Sequence, residues 1–230
     1  SYLERLKSGE PVAYITNSKE FFGHNFFVDQ RVLIPRPETE LLVERALDFL
    51  RTVPGNSRLR ILDLGVGSGC ISISIAKALE EEQLDVIDQI FAVDVSGDAL
   101  EVAQLNAQQM GVDHLFQFVG SDLLDFAEEG EVFDLIVTNP PYVPVGDELV
   151  EKEVRDFEPN LALFSGEDGM DAYEKIFAQL NDKEIQFSRL LGEFGFDQSQ
   201  AMQQLLIDSF DLPFKIEKDL AGVDRLVILG

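Results

Sequence analysis

Cysteine is almost absent from this chain: Cys70 stands alone, so no internal disulfide can form and a reducing cytoplasm is the expected compartment. Histidine is nearly as scarce. His24 and His114 lie far apart in sequence without partners at metal spacing, and neither is assigned a metal. Positive charge is the third shortage, with 18 Lys and Arg against 43 Asp and Glu and a net charge of −25. Phosphate neutralisation supplies most non-specific affinity for nucleic acid, so this balance is the opposite of a nucleic-acid footprint, although net charge can hide a local basic patch. The acidic runs Glu80-Glu81-Glu82 and Glu128-Glu129 read as solvated faces and turns. No apolar run approaches the length of a membrane span, no charged-then-apolar leader is visible, and no repeat or low-complexity stretch occurs. Neither a membrane role nor secretion is expected.

What is present suits one α/β domain with a substantial core and a small appendage: 230 residues, 45% hydrophobic, with 18 Phe. Residues 1 to about 35 read as a helix remnant and a hairpin-like linker, with Phe21, Phe22, Phe26, Phe27 and Val28 around Gly23. Pro37 begins a helix with Leu41, Leu42, Ala46, Leu47 and Leu50 on its apolar face, closed by Pro54-Gly55-Asn56-Ser57. Gly169 to Leu180 reads as a helix with Tyr173, Ile176, Phe177 and Leu180 inward, and Arg225 to Leu229 as a strand. Between Tyr142 and about Leu163 no firm period exists; the segment suits a cover over a cleft, or a helix such as Leu149 to Phe157 on its rim.

The apolar run Phe133 to Thr138 leads directly into Asn139-Pro140-Pro141-Tyr142. A planar nitrogen conjugated to a carbonyl or a ring is a poor nucleophile, because its lone pair is delocalised. An Asn side-chain oxygen and the carbonyl of the following Pro offer two acceptors for its two N–H donors. The Pro-Pro unit is stiff and removes competing donors, and Tyr142 can lie against the flat group. The plain alternative is a proline-rich strand exit with a turn-forming Asn.

Upstream, the strand Arg60-Ile61-Leu62-Asp63-Leu64 runs into Gly65-Val66-Gly67-Ser68-Gly69 and then the helical period Ile71, Ile75, Ala76, Leu79. Such glycines admit positive φ and close approach of a ligand to backbone N–H groups at a helix start. Gly69 comes only two residues after Gly67, unlike the G-x-G-x-x-G dinucleotide fingerprint, which favours a nucleoside over a pyrophosphate. Cys70 opens this helix, where a helix N-terminus can lower a thiol pKa, but a small packing role is preferred. The next run, Ile90 to Val93, ends in Asp94, placed to accept from ribose hydroxyls, with Ser96 available to cap the following helix. A third run, Leu115 to Val119, ends in Gly120-Ser121-Asp122-Leu123, where Asp122 supplies a polar partner and Leu123 an apolar wall for a base. Three strand ends thus converge on one ligand, and a fourth carries Asn139.

With these motifs the chain resembles the class I S-adenosylmethionine-dependent methyltransferases, whose fold is a doubly wound Rossmann-like α/β sheet. The Asn-Pro-Pro-Tyr form is similar to the subset that methylates planar nitrogens of DNA bases and of protein glutamine. Gly9 to Ile15, Glu20-Phe21-Phe22-Gly23, and above all Arg31-Val32-Leu33-Ile34-Pro35-Arg36-Pro37-Glu38-Thr39-Glu40 resemble the release-factor glutamine methyltransferases, as do Phe157-Glu158-Pro159, Gly166-Glu167-Asp168-Gly169 and Asp219 to Arg225. The likeness spans nearly the whole chain. The Pro35 to Glu40 run separates it from the ribosomal-protein glutamine methyltransferases.

The resemblance implies S-adenosylmethionine as cofactor, with Gly65, Val66, Gly67, Ser68 and Gly69 on its methionine part, Asp94 on the ribose, and Asp122 and Leu123 beside adenine. It implies that Asn139, Pro140, Pro141 and Tyr142 hold the substrate glutamine. The partner is a peptide chain release factor, methylated on a Gly-Gly-Gln loop, with no direct nucleic-acid partner, no membrane and no metal. Residues 1–35 are expected as an N-terminal remnant and linker, and 36–230 as the methyltransferase domain. The family carries a helical domain before this point, and Ser1 in place of Met suggests a processed chain or a fragment. One departure stands out: Gly192 occupies a late-strand position where a bulky apolar residue is expected. Two other functions compete: an N6-adenine or other nucleic-acid amino-methyltransferase, and a cofactor-binding module without turnover.

Overall fold

The computed structural model describes residues 2–230. Two short helices, α1 (Tyr2–Lys7) and α2 (Val12–Thr16), precede a hairpin of β1 (Lys19–Phe21) and β2 (His24–Phe26). Phe22 and Gly23 turn that hairpin at φ 50° and 76°, a conformation glycine adopts without strain. Phe21 and Phe26, buried on the hairpin's inner side, meet edge to face. After a single 3-10 turn at Pro37–Thr39 comes α3 (Glu40–Leu50). Its buried face is Leu42, Val43, Ala46, Leu47 and Leu50, so Val43 sits deeper than the expected Leu41. The helix stops before the Pro54 turn rather than at it.

The chain continues as β3 (Leu59–Leu64), α4 (Cys70–Glu81), β4 (Ile87–Asp94), α5 (Gly97–Met110), β5 (Phe116–Gly120), β6 (Val132–Thr138), α6 (Lys152–Phe157), α7 (Asp171–Asp182), β7 (Gln186–Glu193), α8 (Ser199–Ser209), β8 (Phe214–Lys218) and β9 (Asp224–Leu229), of which α8 and β8 were not read from the sequence. They build one seven-stranded sheet in the order β5-β4-β3-β6-β7-β9-β8. Strands β3 to β7 run parallel, while β9 is antiparallel to both of its neighbours. Alternate residues of each strand face opposite layers. On β3, Ile61 packs with α3 and α4, whereas Leu62 and Leu64 pack with α7 and α8.

The chain winds outward from β3 through β4 to β5, then returns to the other side of β3 as β6. That reversal opens a crevice beyond the carboxyl ends of β3 and β6, the place where ligands bind in open α/β sheets. Thr138 donates to the Leu64 carbonyl across it at 2.9 Å, fixing the two strand ends together.

The late strand forms in full, and Gly192 has a physical reason. A Cβ there would lie 2.3 Å from the Tyr173 hydroxyl, which fills the space and donates to the Glu193 carbonyl at 2.6 Å. The bulk expected on the strand is supplied instead by a tyrosine from α7. The segment after Tyr142 contains only the short α6, which has no buried residue, and a 3-10 turn at Asn160–Ala162. Its two ends are joined by bonds from the Val143 N–H to the Leu163 carbonyl and from the Ser165 N–H to the Val143 carbonyl, both 2.9 Å.

Candidate active site

A cleft of about 410 Å³ opens at the strand reversal. Its floor is the loop after β3. Gly65, Gly67 and Gly69 have φ of 74°, 54° and 80°, so side chains at these positions would be strained. The Gly65 and Val66 N–H groups both donate to the Val93 carbonyl at 2.9 Å, and Gly69 caps α4. A Cβ on Gly69 would sit 2.6 Å from Ile73, so that glycine serves helix packing while Gly65 to Ser68 border the cleft. Asn106, fully buried on α5, donates to the Ser68 carbonyl at 2.8 Å and exchanges two hydrogen bonds with the Phe27 backbone. It anchors the loop to the exit of the hairpin, and no motif in the sequence marked it.

Asp94 closes the β4 end. Its two oxygens accept from the Gly67 and Ser96 N–H groups at 3.0 and 2.9 Å, so it shapes the glycine loop as well as bordering the cleft. Burial pushes its carboxyl above the ordinary range, against the lowering effect of those backbone donors. The Ser96 hydroxyl accepts from the Ala99 N–H at 3.2 Å, which is the expected cap. Asp122 and Leu123 both border the cleft. The Asp122 carboxylate is ion-paired with Lys175, and Leu123 is held at φ 54°, a strained backbone for a branched residue.

Asp63, one residue before the loop, is completely buried. The hydroxyl and N–H of Ser72 lie against its carboxylate, yet neither oxygen has a partner at full hydrogen-bond geometry. Burial pushes its pKa up to about 7, with Asp94 adding to the rise. Cys70 is partly buried and borders the cleft, and desolvation pushes its thiol up to about 12, against the lowering a helix start would give.

Asn139 stands at the β6 end with its amide Nδ2 donating to Thr39 Oγ1 at 3.2 Å, from a residue 100 positions earlier. Its main-chain carbonyl oxygen lies 4.0 Å from where a Cβ on Gly65 would sit. Pro141 and Thr39 border the cleft; Pro140 is buried, and Tyr142 lies behind it. Tyr142 donates its hydroxyl to Glu193 Oε1 at 3.0 Å, and its carbonyl accepts from Gln198 Nε2 at 2.8 Å. Burial, and then the neighbouring Glu193 charge, raise the Tyr142 pKa, so the phenol stays protonated. On the opposite rim, Glu158 accepts from the Ile34 N–H at 3.0 Å and pairs with Arg36 at 2.5 Å. Thr39, Glu193, Gln198 and the Arg36–Glu158 pair were not singled out from sequence as site residues. Thr39, Arg36 and Glu158 nevertheless fall inside the long motifs that carried the family likeness.

The donor set suits a nucleoside without phosphate. One carboxylate, Asp94, is placed for a diol, and the glycine backbone leaves room beside it. Among the described residues three basic side chains border the cleft, and each is paired: Arg31 with Asp29 and Glu101, Arg36 with Glu158, Lys175 with Asp122.

Residues 43–156 match the methyltransferase small domain family. A release factor glutamine methyltransferase of Koribacter versatilis is 39% identical over 98% of this chain and 76% of its own length. One from Leptospira interrogans is 41% identical over 99% of this chain and 77% of its own. Among solved structures, the N-terminal domain of human METTL16 in complex with SAH superposes with a TM-score of 0.62 at 16% identity, covering 91% of this chain and 76% of that one, which is a likeness of fold. Identity at this level over nearly the full length, joined to the β3 and β6 loops facing one cleft, decides the family: the chain belongs to the release factor glutamine methyltransferases.

Proposed function

We propose that the chain transfers the methyl group of S-adenosylmethionine to the side-chain amide nitrogen of a glutamine in the Gly-Gly-Gln loop of a peptide chain release factor. The observation that carries this reading is that Asn139, at the end of β6, and Gly65 to Ser68, after β3, border one cleft at the strand reversal, which puts an amide-bearing side chain beside a nucleoside-sized floor. When bound, S-adenosylmethionine supplies a sulfonium-activated methyl group. Gly65 to Ser68 would take its methionine part, Asp94 the ribose, and Asp122 and Leu123 the adenine side. The Asn139 side-chain oxygen and the Pro140 carbonyl would accept the two N–H groups of the glutamine amide, turning its lone pair out of conjugation, with Pro141 and Tyr142 completing the substrate site. Such positioning would supply much of the acceleration. As the nitrogen takes the methyl, the sulfonium would leave as the neutral thioether S-adenosylhomocysteine. The cationic methylated amide is acidic enough to release its extra proton to water without a dedicated base.

Nucleic acid is not the partner in this reading, because every cation bordering the cleft is already paired with a carboxylate and few phosphates could be neutralised. Residues 1–35 would act as the linker and 36–230 as the transferring domain. No described helix is long and apolar enough to cross a membrane. The cytoplasmic location is part of the proposal and follows from the release-factor substrate. The test is Asn139→Ala. Transfer to a release factor should fall by on the order of a hundredfold or more, as when a positioned transition-state group is lost, while the thermal midpoint stays nearly unchanged. Turnover near the unsubstituted rate would contradict the role given to Asn139.

A further inference from the structure

The Pro35 to Glu40 run is the most distinctive motif of the sequence, yet the functional reading above gives it no task. One of its side chains is hydrogen-bonded to the tetrad: Thr39 Oγ1 accepts from Asn139 Nδ2 at 3.2 Å. An Asn side chain has an accepting end and a donating end of nearly the same shape, and only its hydrogen-bond partners decide which end faces the substrate. A glutamine amide with two N–H groups requires the accepting end. Thr39 therefore stands at the point where the wrong orientation could be excluded.

A hydroxyl can also donate, so Thr39 alone does not fix the direction. Behind it lies Glu193, 2% exposed at the end of β7. Glu193 Oε1 already accepts from the Tyr142 hydroxyl at 3.0 Å. Its Oε2 is buried without a partner at full hydrogen-bond geometry, and the Thr39 hydroxyl lies close enough to hold down a pKa that burial raises. A buried carboxylate oxygen left without a partner is a strong acceptor for a neighbouring hydroxyl hydrogen such as that of Thr39. With that hydrogen directed to Glu193, Thr39 can only accept from Asn139, and the Asn139 oxygen is left to the cleft.

We propose that Thr39 and Glu193 are a positioning pair that sets the orientation of the Asn139 amide and, through Tyr142, holds both ends of the substrate tetrad. Neither is a catalytic residue: Glu193 does not border the cleft, and Thr39 acts through Asn139. The inference rests on the reading that Asn139 binds a glutamine amide. It explains why a run on the α3 approach and a strand end more than 150 residues later serve one site.

The experiment compares Thr39→Val, Thr39→Ser and Glu193→Gln with the unsubstituted chain in steady-state methylation of a purified release factor, S-adenosylhomocysteine titration, and thermal unfolding. Thr39→Val keeps the shape and removes the acceptor. Its kcat should fall by on the order of ten- to a hundredfold, as for a misplaced reacting group, with KM and S-adenosylhomocysteine affinity within about twofold. Thr39→Ser should restore most of the rate. Glu193→Gln keeps the shape but offers one oxygen to two hydroxyl donors, so kcat should fall in a protein that still folds. In nitrogen-labelled protein, the Asn139 side-chain amide signals should shift in Thr39→Val and return toward their original position in Thr39→Ser. A kcat for Thr39→Val equal to the unsubstituted rate would overturn the proposal, and so would a Thr39→Ser variant as slow as Thr39→Val. If Thr39→Val does not fold, Glu193→Gln decides: an unchanged kcat in a folded protein overturns the pair. Failure of the unsubstituted chain to methylate any glutamine would instead remove the functional reading beneath it.

Discussion

Asp94 has two tasks, and its substitution should expose both. Its carboxylate shapes the glycine loop through the Gly67 N–H and the next turn through the Ser96 N–H, while bordering the cleft where a ribose would lie. Losing two hydrogen bonds to a charged acceptor should cost on the order of 2–4 kcal/mol in cofactor affinity. Calorimetric titration of Asp94→Ala with S-adenosylhomocysteine reads this directly, and unchanged affinity would contradict the ribose role. Asp63 makes a different prediction. Its folded pKa, about 7, lies above the ordinary 3.8, so between those values the folded chain keeps a proton that the unfolded chain has lost. The stability contributed by this group is therefore full below the ordinary value and declines as pH rises toward 7. Asp63→Asn abolishes the titration, so its stability relative to the unsubstituted chain should climb by on the order of 2–3 kcal/mol between about pH 5 and about pH 8. Unfolding midpoints in denaturant at the two pH values test it; a gap that stays flat would contradict the burial of an ionisable carboxyl.

At the scale of elements, Gly192 shows where strand and helix were decided together. A single methyl there meets the Tyr173 hydroxyl at 2.3 Å, so Gly192→Ala must displace the tyrosine or the strand. The change should destabilise the fold by about 1–3 kcal/mol, the usual range for overpacking, read as a lower denaturant midpoint. A neutral result would contradict the Tyr173 placement. The elements themselves were largely legible, because the runs at β3, β4, β6 and β9 are short, apolar and punctuated by Gly, Asp or Pro, and the α7 period put Tyr173, Ile176, Phe177 and Leu180 inward as observed. What was not legible depends on contacts distant in sequence. Gly192 looks misplaced on its strand until Tyr173 from another layer is seen to occupy its space. Val43 is buried while Leu41 packs only at the core's edge, because Val43, Ala46, Leu47 and Leu50 recur at the helical period on the face turned to the sheet.

For the whole molecule, the same division holds. Gly65 to Ser68, Asp94, Asp122, Leu123, Asn139 and Pro141 announce themselves at strand ends, and the strand order brings them around one cleft. Thr39, Asn106, Glu193 and Gln198 lie far in sequence from the groups they hold, and each acts through a hydrogen bond that only the closed sheet creates. Charge operates at this scale as well. A net −25, with the cleft cations internally paired, opposes a polyphosphate, in line with the protein substrate proposed above.

The most direct measurement is tandem mass spectrometry of a purified peptide chain release factor after incubation with the enzyme and S-adenosylmethionine, alongside duplex and single-stranded oligonucleotides. One added methyl group should be found on the side-chain nitrogen of a single glutamine in the Gly-Gly-Gln loop. It should disappear when that residue is changed Gln→Asn, because the shorter side chain withdraws its amide from Asn139 and Pro140 by about one carbon–carbon bond. The oligonucleotides should remain unmodified. A release factor left unmethylated, or an oligonucleotide methylated at a rate matching the protein, would contradict the proposed reaction.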